Sequence, residues 1–80
     1  MQLSKQKGGE WMRNAYINLK AEMKRRGIKV ADVAELIGKR DVSVSKNLNG
    51  TGGDFKAQEV LKIHKVFFPE LDIEYLFWKG

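Results

Sequence analysis

Val30-Ala31-Asp32-Val33-Ala34-Glu35-Leu36-Ile37-Gly38-Lys39-Arg40-Asp41-Val42-Ser43-Val44-Ser45-Lys46-Asn47-Leu48-Asn49 is the stretch that decides the fold. Val33, Ala34 and Ile37 recur at helical spacing and predict a short helix over Lys29–Ile37, which Gly38 stops. Lys39–Asp41 is a tight connection. Val44 and Leu48, at i and i+4, form the inward stripe of a further helix over Asp41–Leu48. Two short helices that cross closely at a steep angle need a small residue at the crossing, a glycine at the turn and apolar residues to lock them. Ala34, Gly38 and the set Val33, Ile37 and Val44 meet those needs in order. The second helix of such a pair can lie in a major groove with its outer residues at base edges. An ordinary helical hairpin explains the apolar pattern but does not require Ala34 together with Gly38.

Upstream, Trp11, Ala15, Leu19 and Met23 recur every four positions and predict a helix over Glu10–Arg26. Its basic end, Lys24-Arg25-Arg26, is followed by Gly27, as suits a helix C-terminus. Met1–Gly9 is polar, carries Lys5 and Lys7, and reads as a flexible lead-in to a domain spanning 10–80. Downstream, Asn49-Gly50-Thr51-Gly52-Gly53 is a loop by composition. A fourth helix follows over Lys56–Phe67, with Val60, Ile63 and Phe67 inward. Pro69 breaks it, and Asp72 can cap a last turn or two through Phe77. No stretch alternates with period two for long enough to make a strand, so the expected fold is all-α, with five short helices in one compact domain.

Eighty residues with 42% hydrophobic and 31% charged side chains bound one globular domain whose core is small enough to gain from a partner. Without cysteine there are no disulfides, thiolate nucleophiles or sulfur-bound zinc, and His64 alone cannot build a multi-histidine metal site. No apolar run approaches the roughly 20 residues that span a bilayer, and none after Met1 resembles a signal peptide. The expectation is a cytoplasmic protein with no membrane partner. The net charge of +5 is uneven: residues 1–50 hold eleven Lys/Arg against five Asp/Glu, and residues 51–80 hold four against five. A basic front and an aromatic-rich back suit a polyanion-facing surface opposite a packing surface, although solvated lysine-rich helices give the same balance.

Gly27-Ile28-Lys29-Val30-Ala31-Asp32-Val33-Ala34-Glu35-Leu36-Ile37-Gly38 resembles the first half of the lambda-repressor-like helix-turn-helix of the XRE or Cro/repressor family. Ser43-Val44-Ser45-Lys46-Asn47-Leu48-Asn49-Gly50 is similar to that family's recognition helix and its asparagine-glycine exit. Phe67-Phe68-Pro69-Glu70 with Ile73-Glu74-Tyr75-Leu76-Phe77 resembles the closing segment of small phage and mobile-element members. The resemblance covers Leu19 to Phe77 and implies a sequence-specific, double-stranded-DNA-binding transcriptional regulator, a phage-type repressor acting as a dimer on operator half-sites. It assigns base contacts to Asp41, Val42, Ser45 and Lys46, with Ser43 nearby. Lysine can donate to guanine, Val42 can meet a thymine methyl, and Asp41 either accepts from cytosine or favours the helix N-terminus. It assigns phosphate contacts to the start of the second helix with Lys29, and to Asn47, Asn49 and Thr51. Arg40 and Lys56 join them by charge and position. Two positions depart from the family: Val30 stands where a phosphate-holding glutamine is common, and Asn47 where an aliphatic residue is common. Lys39 and Arg40 replace an apolar-serine pair, which leaves the third helix without an obvious cap unless Asp41 serves.

Other motifs carry no chemistry. Gly50-Thr51-Gly52-Gly53 lacks the lysine-serine/threonine pair and preceding strand of a phosphate-cradling loop. Asn49-Gly50-Thr51 matches a glycosylation acceptor without a secretory context. His64, between Lys62 and Lys65, reads as exposed, and no serine motif surrounds it. The expectation is a non-enzyme with no cofactor, metal or small-molecule substrate. The C-terminal segment holds more apolar side chains than one short helix can bury. Phe67 and Leu76 are expected to complete the core, leaving Ile73, Phe77 and Trp78 for a homodimer interface unless Trp78 folds over Trp11 or Tyr16. The rival reading is a protein–protein interaction module, an antirepressor or adaptor, that keeps the fold without binding DNA; Val30 and Asn47 keep it open.

Overall fold

The computed structural model describes residues 15–80. The lead-in 1–9, with Lys5 and Lys7, and the predicted helix start through Trp11 lie outside the described residues. Within them the chain is all-helical, with α1 (Ile17–Arg26), α2 (Val30–Ile37), α3 (Asp41–Asn49), α4 (Ala57–Phe67) and α5 (Ile73–Leu76). None of these helices is long and apolar enough to cross a membrane.

The helix ends follow from local chemistry. After α1, Gly27 takes a left-handed φ of 68°. That conformation lets the Ile28 N–H reach the Met23 carbonyl at 2.9 Å, while three cations in the last turn face the negative end of the helix dipole. Lys29 and Lys56 hold the N-cap positions of α2 and α4 without a side-chain acceptor. A carboxylate three residues on serves instead. Asp32 accepts from the Lys29 N–H and Glu59 from the Lys56 N–H, each at 2.8 Å. Arg40, not Asp41, holds the N-cap position of α3; Asp41 is the first helical residue, where its charge suits the dipole. Asp72 accepts from the Tyr75 N–H at 3.1 Å and caps α5 as its sequence position suggests.

Three expectations are corrected. Within the described residues the helix predicted over Glu10–Arg26 begins only at Ile17, because Tyr16 is non-helical (φ −85°, ψ 76°). The Tyr16 N–H donates instead to the Leu48 carbonyl at the end of α3, 2.9 Å away. Phe68, fully buried, takes the core place expected of the half-buried Phe67. His64 is half-buried, not exposed, and its Nε2 lies 2.7 Å from the Leu71 carbonyl oxygen, joining α4 to the segment before α5.

The core draws Leu19 and Met23 from α1, Val33 and Ala34 from α2, and Val44 and Leu48 from α3. Ile63, Phe68 and Leu76 close it from the C-terminal half, with Phe55 from the preceding loop. Val33 and Ala34 of α2 and Val44 of α3 are buried in that one cluster. Phe77 corrects the interface expectation. Its ring packs edge-on to Tyr16 and Phe55, with centroids 5.9 and 6.3 Å apart, so this half-buried side chain is used within the fold. Ile73 is also half-buried, whereas Trp78 remains 55% exposed.

Candidate nucleic-acid interface

α3 divides into two sides. Val44, Asn47 and Leu48 are buried. Val42, Lys46 and Asn49, at i, i+4 and i+7, lie opposite them by helical period. Val42 is 53% exposed, an aliphatic side chain in water with no core contact to explain it. Lys46 and Asp41 are exposed, and Ser43 and Ser45 are half-buried along the flanks. The five residues assigned to base contact therefore share one helix, with Val42 and Lys46 at the centre of its outer side.

The residues assigned to phosphate divide. Lys29, Arg40 and Lys56 are exposed at the starts of α2, α3 and α4, and with Lys46 they form no ion pair among the described residues. Thr51 is exposed beside Lys46, whose carbonyl accepts its N–H at 3.0 Å. Asn49 is half-buried, and its Oδ1 accepts from Lys20 Nζ, which leaves the amide N–H donors as the groups able to meet an anion.

Asn47 does not belong with them. It is 4% exposed, and both ends of its amide are engaged inside the protein. Oδ1 accepts from Lys39 Nζ at 3.0 Å; Nδ2 donates to the Gly53 carbonyl at 2.9 Å and the Gly52 carbonyl at 3.3 Å. Its spacing explains the burial: three residues after Val44 and next to Leu48, it falls on the packed side. Turned inward, a polar side chain needs partners, and the loop carbonyls and Lys39 supply them.

Lys39 is the residue that sequence reasoning passed over. Its ammonium bonds Asn47, pairs with Glu59 at 3.1 Å and lies 5.7 Å from the centre of the Phe55 ring. One cation thus ties the α2–α3 turn to the end of α3 and the start of α4. Of the adjacent pair, only Arg40 is left for an outside anion. Partial burial pushes the Glu59 carboxyl up, but the Lys56 N–H and the Lys39 ammonium outweigh that and hold it below its ordinary value. A depressed carboxylate contributes stability that is present above its unfolded value and lost as pH falls through the folded one. Glu59→Gln should therefore cost about 1 kcal/mol at neutral pH. It should also shrink the acid-side fall in melting temperature. Parallel melting curves for the two proteins from neutral to acid pH would count against this role.

The basic end of α1 is largely spent within the fold. Arg25 pairs with the buried Glu22 at 2.8 Å. Arg26 donates to the Phe67 carbonyl, pairs with Glu70 and covers the Phe68 ring. No group of three or more His, Cys, Asp or Glu among the described residues is arranged to hold a metal. Compared with known proteins, the chain matches no family model, no curated protein and no solved structure.

Proposed function

We propose that this protein is a sequence-specific, double-stranded-DNA-binding transcriptional regulator of the lambda-repressor-like helix-turn-helix type, a cytoplasmic repressor that occludes a promoter as a homodimer. The observation that carries the reading is the outer side of α3, where Val42 and Lys46 stand exposed while Val44 and Leu48 on the other side are locked in the core. A helix held from behind, with an apolar group for a thymine methyl and a cation for guanine, has the chemistry of major-groove readout. Arg40 at the start of the same helix, with Lys29 and Lys56 at two other helix starts, adds positive charge for phosphates that forms no ion pair among the described residues. The resemblance of the Gly27–Gly50 sequence to the family's paired helices supports the same reading.

The homodimer draws on the exposed apolar pair Ile17 and Trp78, which flank Gly80 so closely that an added Cβ there would lie 2.7 Å from each. Ile73 contributes what its half-burial leaves open. Two copies would then offer two α3 helices to half-sites about 34 Å apart.

Sedimentation with a two-half-site duplex selected from a random library, at several salt concentrations, tests both statements. Three cations on three phosphates, Lys29, Arg40 and Lys56, predict a log–log slope of affinity against salt of about −2.7 for each copy bound. Two copies per duplex, bound cooperatively, are expected. A slope near zero would favour the protein–protein module, and single, independent copies would exclude the dimer.

A further inference from the structure

We infer that Gly52 is a positioning residue that fixes the direction in which Lys46 leaves α3, and so sets how sharply that lysine reads a base; the inference rests on the reading of Lys46 as a base-contacting residue. Three observations converge on the same few atoms. A Cβ built on Gly52 would stand 2.5 Å from Lys46 Cβ and 3.3 Å from its Cδ. The near atom is the root of the lysine side chain, not its mobile end, so it cannot swing aside without moving α3. The Gly52 backbone is held there from both directions. Its N–H donates to the Lys46 carbonyl at 3.2 Å, and its carbonyl accepts from the buried Asn47 amide at 3.3 Å. The neighbours Thr51 and Gly53 add a bond each, to the Lys46 carbonyl at 3.0 Å and from Asn47 Nδ2 at 2.9 Å.

The loop backbone therefore lies along the lysine stem as a wall. Lysine is among the side chains with most rotamer freedom to lose on binding, and a wall against Cβ to Cδ removes part of that freedom beforehand. Preorganisation of this kind favours the one base geometry the restricted rotamers reach. Glycine is required for closeness here, not for a left-handed backbone.

The test compares wild type and Gly52→Ala on the selected duplex and on duplexes changed at the base pair that Lys46→Ala identifies. In the wild-type background Gly52→Ala should reduce discrimination at that pair by about tenfold, within the usual worth of a base contact. In the Lys46→Ala background the same change should leave discrimination at that pair unaltered, since no lysine remains to be misdirected; a general weakening of the fold would lower binding to all duplexes alike. A second measurement needs no variant: side-chain carbon relaxation in wild type should find the Lys46 Cβ and Cγ more ordered than those of the exposed Lys29 and Lys56. Full discrimination by a folded Gly52→Ala, or a Lys46 stem as mobile as the other two, overturns the inference while leaving DNA binding intact. Failure of wild type to bind any duplex overturns the reading on which it rests.

Discussion

Phe68→Ala is expected to lower the melting temperature by about 12–40 °C, the range given by a loss of about 3–5 kcal/mol in a domain of this size. Phe68 is the bulkiest of the fully buried side chains, and both sides of its position are fixed. Its N–H closes α4 on the His64 carbonyl at 3.0 Å, and the Arg26 guanidinium lies 4.9 Å from its ring centre. Arg26 is itself held by the Phe67 carbonyl at 2.8 Å and by Glu70, so it cannot follow a collapsing ring without giving up those bonds. The cavity would stay open, which is the condition under which truncation costs most. A domain of 80 residues has a total stability of about 4–12 kcal/mol. The variant should therefore be partly unfolded at physiological temperature. Phe67→Ala, which removes a half-buried ring next door, should cost markedly less. Thermal melts of the two variants decide it, and a larger loss for Phe67→Ala would place the wrong ring in the core.

That pair of phenylalanines also marks where sequence reasoning reaches its edge. Val60, Ile63 and Phe67 follow helical period, and period is a guide only while the helix lasts. α4 ends at Phe67; Phe68, before Pro69, leaves the helix with a φ of −139°, and its side chain points by a different rule. α2, α3 and α4 were legible to within one residue at each end, because glycine and proline stops and apolar spacing are local signals. The start of α1 after Tyr16 was not, since the partner of the Tyr16 N–H is Leu48, far away in the chain. On the candidate interface, the outward positions Val42 and Lys46 follow directly from the inward Val44 and Leu48. Asn47 was misjudged by its polarity although its spacing from Val44 already put it inside. Lys39 carried no local sign, as its acceptors come from α3 and α4.

Leu48→Ala and Asn47→Ala, two neighbours on the packed side of α3, should both destabilise the protein, and by different routes. Leu48, 3% exposed, loses packing against the core, at about 2–5 kcal/mol. Asn47→Ala removes three hydrogen bonds, yet the losses are unequal. Gly52 and Gly53 are exposed, so their carbonyls can turn to water, and Lys39 keeps Glu59. The expected cost is about 1–3 kcal/mol, the range for a buried polar contact left half-made. The distinguishing readout is local. Without the Asn47 amide, nothing holds the loop carbonyls over α3, so the Thr51 and Gly52 N–H groups that bond Lys46 should exchange with solvent faster than the change in global stability alone requires. Leu48→Ala should raise exchange there only in step with the rest of the core. Asn47→Ala with an unchanged melting temperature and unchanged exchange at Thr51 and Gly52 would return Asn47 to the outer face of the helix. Faster exchange confined to the loop would instead separate two functions on one helix side: Leu48 holds α3 to the protein, and Asn47 holds the loop to α3.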